Sequence, residues 1–322
     1  MRIGTLFGGC GGWDIGAWMA GASPVWSVEL EPAIAAVQRD FFEKRAPRHR
    51  VVVGDVREAI ELDLPPIDVL YASPVCKAHS KGTSRLDTSL CEHAWTGTAV
   101  PQWVDRYRPK AVVIENVTGY RSHEAFRQIQ RGLTLHGYVE RSGVFRFNQH
   151  GLPQSRERFL SWWTEDKNDI KQLLPEIPGP SWFDSTSDLL RDLPKAELAN
   201  WQVDRIDRMR QRGVKGPYPW LISSFNASTT RFGEGKTVIV GRFANQPAWT
   251  VVESRRAQSG LRVLLEDGSV RAASLRMLAR FQGFPDEWEI PEDTVTAYTC
   301  IGNAVPPSIS ALVTRTLMRA LS

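Results

Sequence analysis

The first 165 residues alternate short apolar runs with stretches of helical periodicity. Ile3 to Phe7 predicts a strand, followed by the turn Gly8-Gly9-Cys10-Gly11-Gly12 and a helix from Trp13 to Ala20. Val25 to Leu30 predicts a second strand, and Pro32 to Phe42 a helix opened by proline. Val51 to Val53, Val69 to Tyr71 and Ala111 to Ile114 predict three more strands. These runs are apolar at successive positions, the pattern of strands covered by helices on both faces. Strand–helix alternation of this kind predicts an α/β domain built on a doubly wound, mostly parallel sheet. Ligands gather at the carboxyl ends of such strands. Each polar or glycine-rich motif falls at such an end: the glycine turn, Glu29, Asp55, the segment Ser73 to Cys76, and Glu115.

The texture changes near residue 166. Prolines, tryptophans and basic residues become frequent (Pro175, Pro178, Pro180, Trp182, Trp201), and Arg205 to Arg212 is strongly basic. Short β-like runs follow at Thr237 to Val240 and Trp249 to Val252. Regular texture returns over Ala273 to Phe284, and Pro307 to Leu321 predicts a closing amphipathic helix. The expected organisation is therefore a first domain from 1–165 and 269–322, with a smaller, irregular, β-containing domain over 166–268.

Composition adds exclusions more than assignments. Hydrophobic residues make up 42% and charged residues 24% of the chain, as in ordinary globular proteins. No apolar run reaches the length of a membrane span, and the N-terminus lacks the apolar region of a signal peptide. A cytoplasmic protein with no membrane partner is expected. The four cysteines (Cys10, Cys76, Cys91, Cys300) are far apart with no C-x-x-C pair, so no disulfide framework is expected. Cys91 and His93 lack a second pair of ligands, so no metal is expected either. A net charge of +4 permits a polyanionic partner without demanding one.

Candidate chemistry sits at the strand ends. Glycines let backbone approach a ligand, and the helix after them offers free N–H groups, which is how a nucleotide-like cofactor is cradled. Glu29 can hydrogen-bond ribose hydroxyls, and Asp55 can accept from an adenine amine. Cys76 and Glu115 project from neighbouring strand ends. A thiolate beside a carboxylic acid suits attack on an electron-poor ring with protonation of that ring. Taken alone, each has a plainer reading: a core cysteine, surface acids, and, for Gln154 to Arg158, a solvated charged turn.

Taken in order, these segments resemble the DNA cytosine-5 methyltransferases. Thr5-Leu6-Phe7-Gly8-Gly9-Cys10-Gly11-Gly12 is similar to the cofactor loop of that family, Gly54-Asp55-Val56 to its adenine-side element, and Ser73 to Ser80 to its nucleophile loop. Glu115-Asn116-Val117, Gln154-Ser155-Arg156-Glu157-Arg158, Ala279 to Pro285 and Gly302-Asn303-Ala304-Val305-Pro306-Pro307 resemble its remaining signatures. The resemblance spans residues 3 to 307 and passes over 166–268, where the family carries its variable target-recognition domain.

The resemblance implies a fold that binds S-adenosyl-L-methionine and a chemistry on cytosines flipped out of double-stranded DNA. Cys76 would add to C6, Glu115 would hold and protonate N3, Arg156 would stabilise both the cytosine O2 and Glu115, and Arg158 would support that network. Phe7, Gly8, Gly9, Gly11, Gly12, Glu29, Leu30, Asp55, Val56, Pro74, Asn303, Ala304 and Val305 would form the cofactor site, with Trp13 a further aromatic candidate or a core residue. Lys77, Ser80, Arg231, Arg242, Arg255 and Arg256 would meet DNA; Arg205, Arg208, Arg210, Arg212 and Lys215 would meet phosphates or form a solvated helix face. A monomer, nucleoid-associated when bound to DNA, is expected, in a restriction-modification setting.

The nucleophile loop departs from the family pattern. Val75 stands where proline precedes the cysteine, Lys77 where glutamine follows it, and Thr5 where an acid is usual. Lys77 would favour the thiolate or meet a phosphate. An RNA-methylating member of the family, a catalytically silent member and a transferase of another group are the alternatives.

Overall fold

The computed structural model describes residues 1–75, 92–165, 170–223, 240–253 and 259–322. The chain divides into two compact units. One comprises Met1–His150, Glu157–Ile177 and Ala304–Ser322; the other comprises Gly151–Arg156 and Pro178–Asn303.

The first unit is built on a seven-stranded sheet. Its strands are β1 (Arg2–Leu6), β2 (Ser23–Glu29), β3 (Arg50–Val53), β4 (Val69–Ala72), β5 (Ala111–Asn116), β6 (Tyr138–Arg146) and β7 (Glu157–Glu165), in the order β3-β2-β1-β4-β5-β7-β6. The first five run parallel. All five match expected strands within a few residues. β7 runs antiparallel to both β5 and β6. This hairpin escapes a search for apolar runs because β6, at the sheet edge, interleaves charged residues with partly exposed apolar ones. Strand order reverses at β1, between β2 and β4, so the topological switch point where such sheets bind ligands lies beside the glycine turn.

Helices α1 (Gly12–Met19), α2 (Pro32–Glu43), α3 (Val100–Tyr107), α4 (Glu124–Leu135) and a C-terminal helix, Pro307–Leu321, complete this unit. The core under the sheet gathers Leu6, Trp26, Val28, Leu70, Trp103, Val112, Ile114 and Phe126, all essentially inaccessible. Its tryptophans are hydrogen-bonded as well as buried: Trp26 Nε1 donates to the Pro65 carbonyl and Trp103 Nε1 to that of Val56, each at 2.9 Å.

The second unit carries α5 (Asn200–Gln211), a four-stranded antiparallel sheet, α6 (Leu275–Phe281) and α7 (Thr294–Asn303). The sheet is formed by β8 (Trp220–Ile222), β9 (Gly241–Arg242), β10 (Arg262–Leu264) and β11 (Val270–Ala272), in the order β11-β10-β8-β9. Ile206 and Met209 of α5 pack on Trp220, Ile222 and Leu264. The β-like run Trp249 to Val252 forms no strand; Ala248 instead bridges to Gln154. Of Thr237 to Val240, only Val240 lies within the described residues. Among the described residues, no helix is long and apolar enough to cross a membrane.

Candidate active site

The glycine turn leaves β1 through an unusual backbone. Phe7 adopts a left-handed conformation (φ 58°), followed by Gly9 (φ 56°) and Gly11 (φ 92°). A non-glycine residue in that region is disfavoured by about 1–2 kcal/mol, and such strain concentrates at functional sites. Half-buried Phe7 is anchored by the core beneath it. Gly8 donates to the Val28 carbonyl at 2.9 Å and Gly11 to Gly8 at 3.0 Å.

The four glycines divide by role. A Cβ on Gly9 would meet nothing within 4 Å, so its surface is open to a ligand. A Cβ on Gly12 would lie 2.2 Å from the Val305 carbonyl oxygen. Gly12 therefore serves the packing of α1 against Ala304 to Pro307, and Val305 is brought beside the turn by that contact. Trp13 is core: it stacks on Tyr71 at 4.3 Å and donates from Nε1 to Ser73 Oγ at 2.9 Å.

Glu29, at the end of β2, closes over the turn. Its Oε2 accepts from the Gly9 N–H at 2.7 Å and its Oε1 from that of Glu31 at 2.9 Å. Burial pushes the carboxyl up from its ordinary pKa, against those donors. Each oxygen keeps lone-pair capacity for a further donor such as a ribose hydroxyl. Leu30 beside it is 50% exposed, a large apolar surface next to a polar one. Asp55 is held differently: Arg57 donates to its Oδ1 at 3.0 Å and its Oδ2 at 2.6 Å, and this partner holds the carboxyl below the ordinary carboxylate range. The Val56 side chain is buried in the core, so only its backbone is available to a ligand.

At the neighbouring strand ends, Glu115 is buried and its Oε1 pairs with Arg158 Nε at 3.2 Å. The antiparallel β5–β7 pairing creates this contact by running the second arginine of Gln154 to Arg158 back alongside β5. Asn116 Nδ2 donates to the Pro74 carbonyl at 2.8 Å. This bond ties the end of β5 to the chain two residues before Cys76. Cys76, Lys77, Ser80, Arg231, Arg255 and Arg256 lie outside the described residues.

In the second unit, Gln154 and Arg156 are fully buried, so that segment is not a solvated turn. Gln154 Oε1 accepts from the Val251 N–H at 2.8 Å, and its Nε2 donates to the Phe281 carbonyl at 2.7 Å and to Gln282 Oε1 at 2.6 Å. Arg156 donates to the carbonyls of Val251 (3.1 Å) and Gly302 (3.3 Å). Gln154 and Arg156 thus join three segments that are far apart in sequence. The sequence signal of Gln154 is its place at the head of the Gln-x-Arg-x-Arg run. Asn303, exposed, donates to Glu253 Oε2 at 2.6 Å. Arg242 on β9 stacks its guanidinium over Trp249 at 5.3 Å, and burial lowers its pKa from the ordinary value. Arg205 and Arg210 lie over Trp201 and Trp220.

A mostly parallel sheet with a glycine turn at its switch point, an acid at the end of β2 and another just past β3 is the frame of a nucleotide-binding α/β protein. The chain matches the family described as C-5 cytosine-specific DNA methylase over residues 1–319 and belongs to it. It is an S-adenosylmethionine-dependent DNA (cytosine-5-)-methyltransferase. Among its relatives are the Type II methyltransferases M.DsaV of Dactylococcopsis salina (26% identical, covering 97% of this chain and 84% of that one) and M.NgoMIV of Neisseria gonorrhoeae (27% identical, 97% and 96%). A prophage-encoded E. coli structure described as a DNA modification methyltransferase shares the fold (TM-score 0.68, 19% identity, 100% and 99% covered).

Proposed function

We propose that this enzyme acts on a cytosine flipped out of duplex DNA through a covalent bond from Cys76 Sγ to C6, with Glu115 held ready by Arg158. The Asn116–Pro74 hydrogen bond carries the reading. It roots the chain leading to Cys76 beside Glu115, and two residues reach no more than about 7 Å. A buried carboxyl fixed by a guanidinium is oriented before substrate arrives, as acid–base work on a ring nitrogen requires. Glu115 then holds a proton against N3 as the C6–S bond forms, and the electron pair released from the ring collects at C5. S-adenosylmethionine, when bound, supplies an electrophilic methyl group. Loss of the C5 proton breaks the C6–S bond and returns the Cys76 thiolate. Within its own unit, Arg156 fixes the carbonyls of Val251 and Gly302; its action on the cytosine O2 and Glu115 is assigned from sequence.

Phe7, Gly8, Gly9, Gly11, Gly12, Glu29, Leu30, Asp55 and the backbone of Val56 suit an adenosine-containing cofactor, with Pro74, Ala304 and Val305 as further members; Asn303 is assigned to the cofactor from sequence alone. The open face of Gly9, the spare lone pairs of Glu29 and the exposed Leu30 support that fit. In residues 166–268, expected to form the target-recognition domain, Arg242 is the DNA contact best supported: a desolvated guanidinium stacked on an indole suits bidentate pairing with guanine. Lys77, Ser80, Arg231, Arg255 and Arg256 are assigned to DNA from sequence alone. The enzyme is taken to act as a cytoplasmic monomer.

Bisulfite sequencing of DNA from cells expressing the protein tests this. Modified cytosines in one sequence context are expected with wild type and not with Cys76→Ala. Arg242→Ala is expected to relax that context at a guanine. Equal patterns in wild type and Cys76→Ala would sink the covalent reading.

A further inference from the structure

Beneath the glycine turn lies a buried polar cluster that the proposed chemistry does not use. Asp14, in the first turn of α1, is completely inaccessible, as are Thr5 of β1, Ser27 of β2 and Gln38 of α2. Thr5 Oγ1 donates to Asp14 Oδ1 at 2.8 Å, and Gln38 Nε2 donates to Asp14 Oδ2 at 2.9 Å. Ser27 Oγ donates to Gln38 Oε1 at 2.9 Å, and Gln38 Nε2 lies 3.0 Å from His49 Nε2. Gln38 is also the floor of the turn. A Cβ on Gly11 would meet Gln38 Cγ at 2.8 Å, and one on Gly8 would meet Gln38 Oε1 at 3.2 Å.

A lone buried carboxylate with neutral donors is costly unless something compensates it. Among the described residues, His49 reaches it through Gln38, Tyr71 of β4 has its pKa raised in part by Asp14, and Cys10 is buried in the glycine turn. Glu29 holds the turn from the opposite side, through Gly9. On the C-terminal helix, Arg315 donates to the Met19 carbonyl, at the far end of α1 from Asp14. The helix N-terminus and the two donors offset part of the charge. A cationic ligand bound over the turn would offset more.

We propose that Asp14 is a positioning residue for the cofactor loop: through Gln38 it sets the height of Gly8 to Gly11, and its charge favours a sulfonium cofactor. This rests on the assignment of the turn to S-adenosylmethionine. Burial pushes the Asp14 carboxyl up to about 7, so a docking cation should draw a proton from it near neutrality.

Calorimetry with S-adenosylmethionine at pH 7, in two buffers of different ionisation enthalpy, gives both affinity and proton release. Wild type is expected to release a fraction of a proton on binding. Asp14→Asn is expected to bind at least tenfold more weakly and to release none, with its melting temperature unchanged or raised. The exchange Thr5→Asp with Asp14→Thr keeps a carboxylate in this cluster but removes its bond to Gln38, so it should restore proton release and only part of the affinity. Unchanged affinity in Asp14→Asn, or weakened affinity that tracks a lowered melting temperature with proton release intact, overturns the proposal. Should wild type and Glu29→Ala bind equally, or neither bind, the cofactor assignment itself fails instead.

Discussion

In Gly12→Ala, the new Cβ would stand 2.2 Å from the Val305 carbonyl oxygen and 3.1 Å from Val305 C and N. That is roughly 1 Å short of an ordinary van der Waals separation. The obstacle is backbone, held between buried Ala304 and the start of the C-terminal helix, so no side-chain rotation relieves it. Overpacking of this kind costs about 1–3 kcal/mol. Alanine recovers less than about 1 kcal/mol at the first residue of a helix. A net destabilisation of about 1–2 kcal/mol is expected, read as a fall in the urea midpoint of unfolding. Gly16→Ala meets the same helix, 2.3 Å from the Pro307 carbonyl oxygen. One displacement of that helix relieves both clashes, so the double variant should lose less than the sum. Gly9→Ala is the contrast, with open space around its Cβ but a φ of 56°. It should weaken cofactor binding more than it lowers stability. Stability of Gly12→Ala within about 0.5 kcal/mol of wild type would refute the packing role.

Arg158→Ala leaves Glu115 buried without its paired guanidinium and should lower kcat by about 100-fold or more while DNA affinity holds; gel-shift and methyl-transfer assays separate the two. Gln154→Ala strands the Val251 N–H and the Phe281 carbonyl, costing about 2–3 kcal/mol in chemical denaturation. Asp14 and His49 should give stability opposite slopes with pH. The folded protein keeps a proton on Asp14 up to about pH 7 that the unfolded chain releases near 3.8, so that contribution is lost as pH rises through this window. Burial lowers His49 to about 4, so its contribution is lost as pH falls from 6.5 toward 4. Relative to wild type, Asp14→Asn should gain on the order of a few kcal/mol between pH 5 and 8. Urea midpoints across that range check it, and a constant difference would contradict the assignment.

Apolar runs and strand-end motifs were enough to read the parallel half of the sheet, because strands covered on both faces carry an unbroken hydrophobic signal. The ordered motifs likewise identified the family, and Glu29 and Glu115 stand at the strand ends where that reading put them. What one dimension could not carry was pairing. β6 hides as an edge strand, yet β7 beside it decides that Arg158 meets Glu115. Gly12 looks like its neighbours in sequence, and only the approach of Val305, almost 300 residues away in the chain, marks it as a packing glycine. Gln154 and Asp14 are ordinary polar letters until burial forces each polar atom to find a partner. Local pattern determined where chemistry could sit, whereas long-range contact decided which atoms hold it in place.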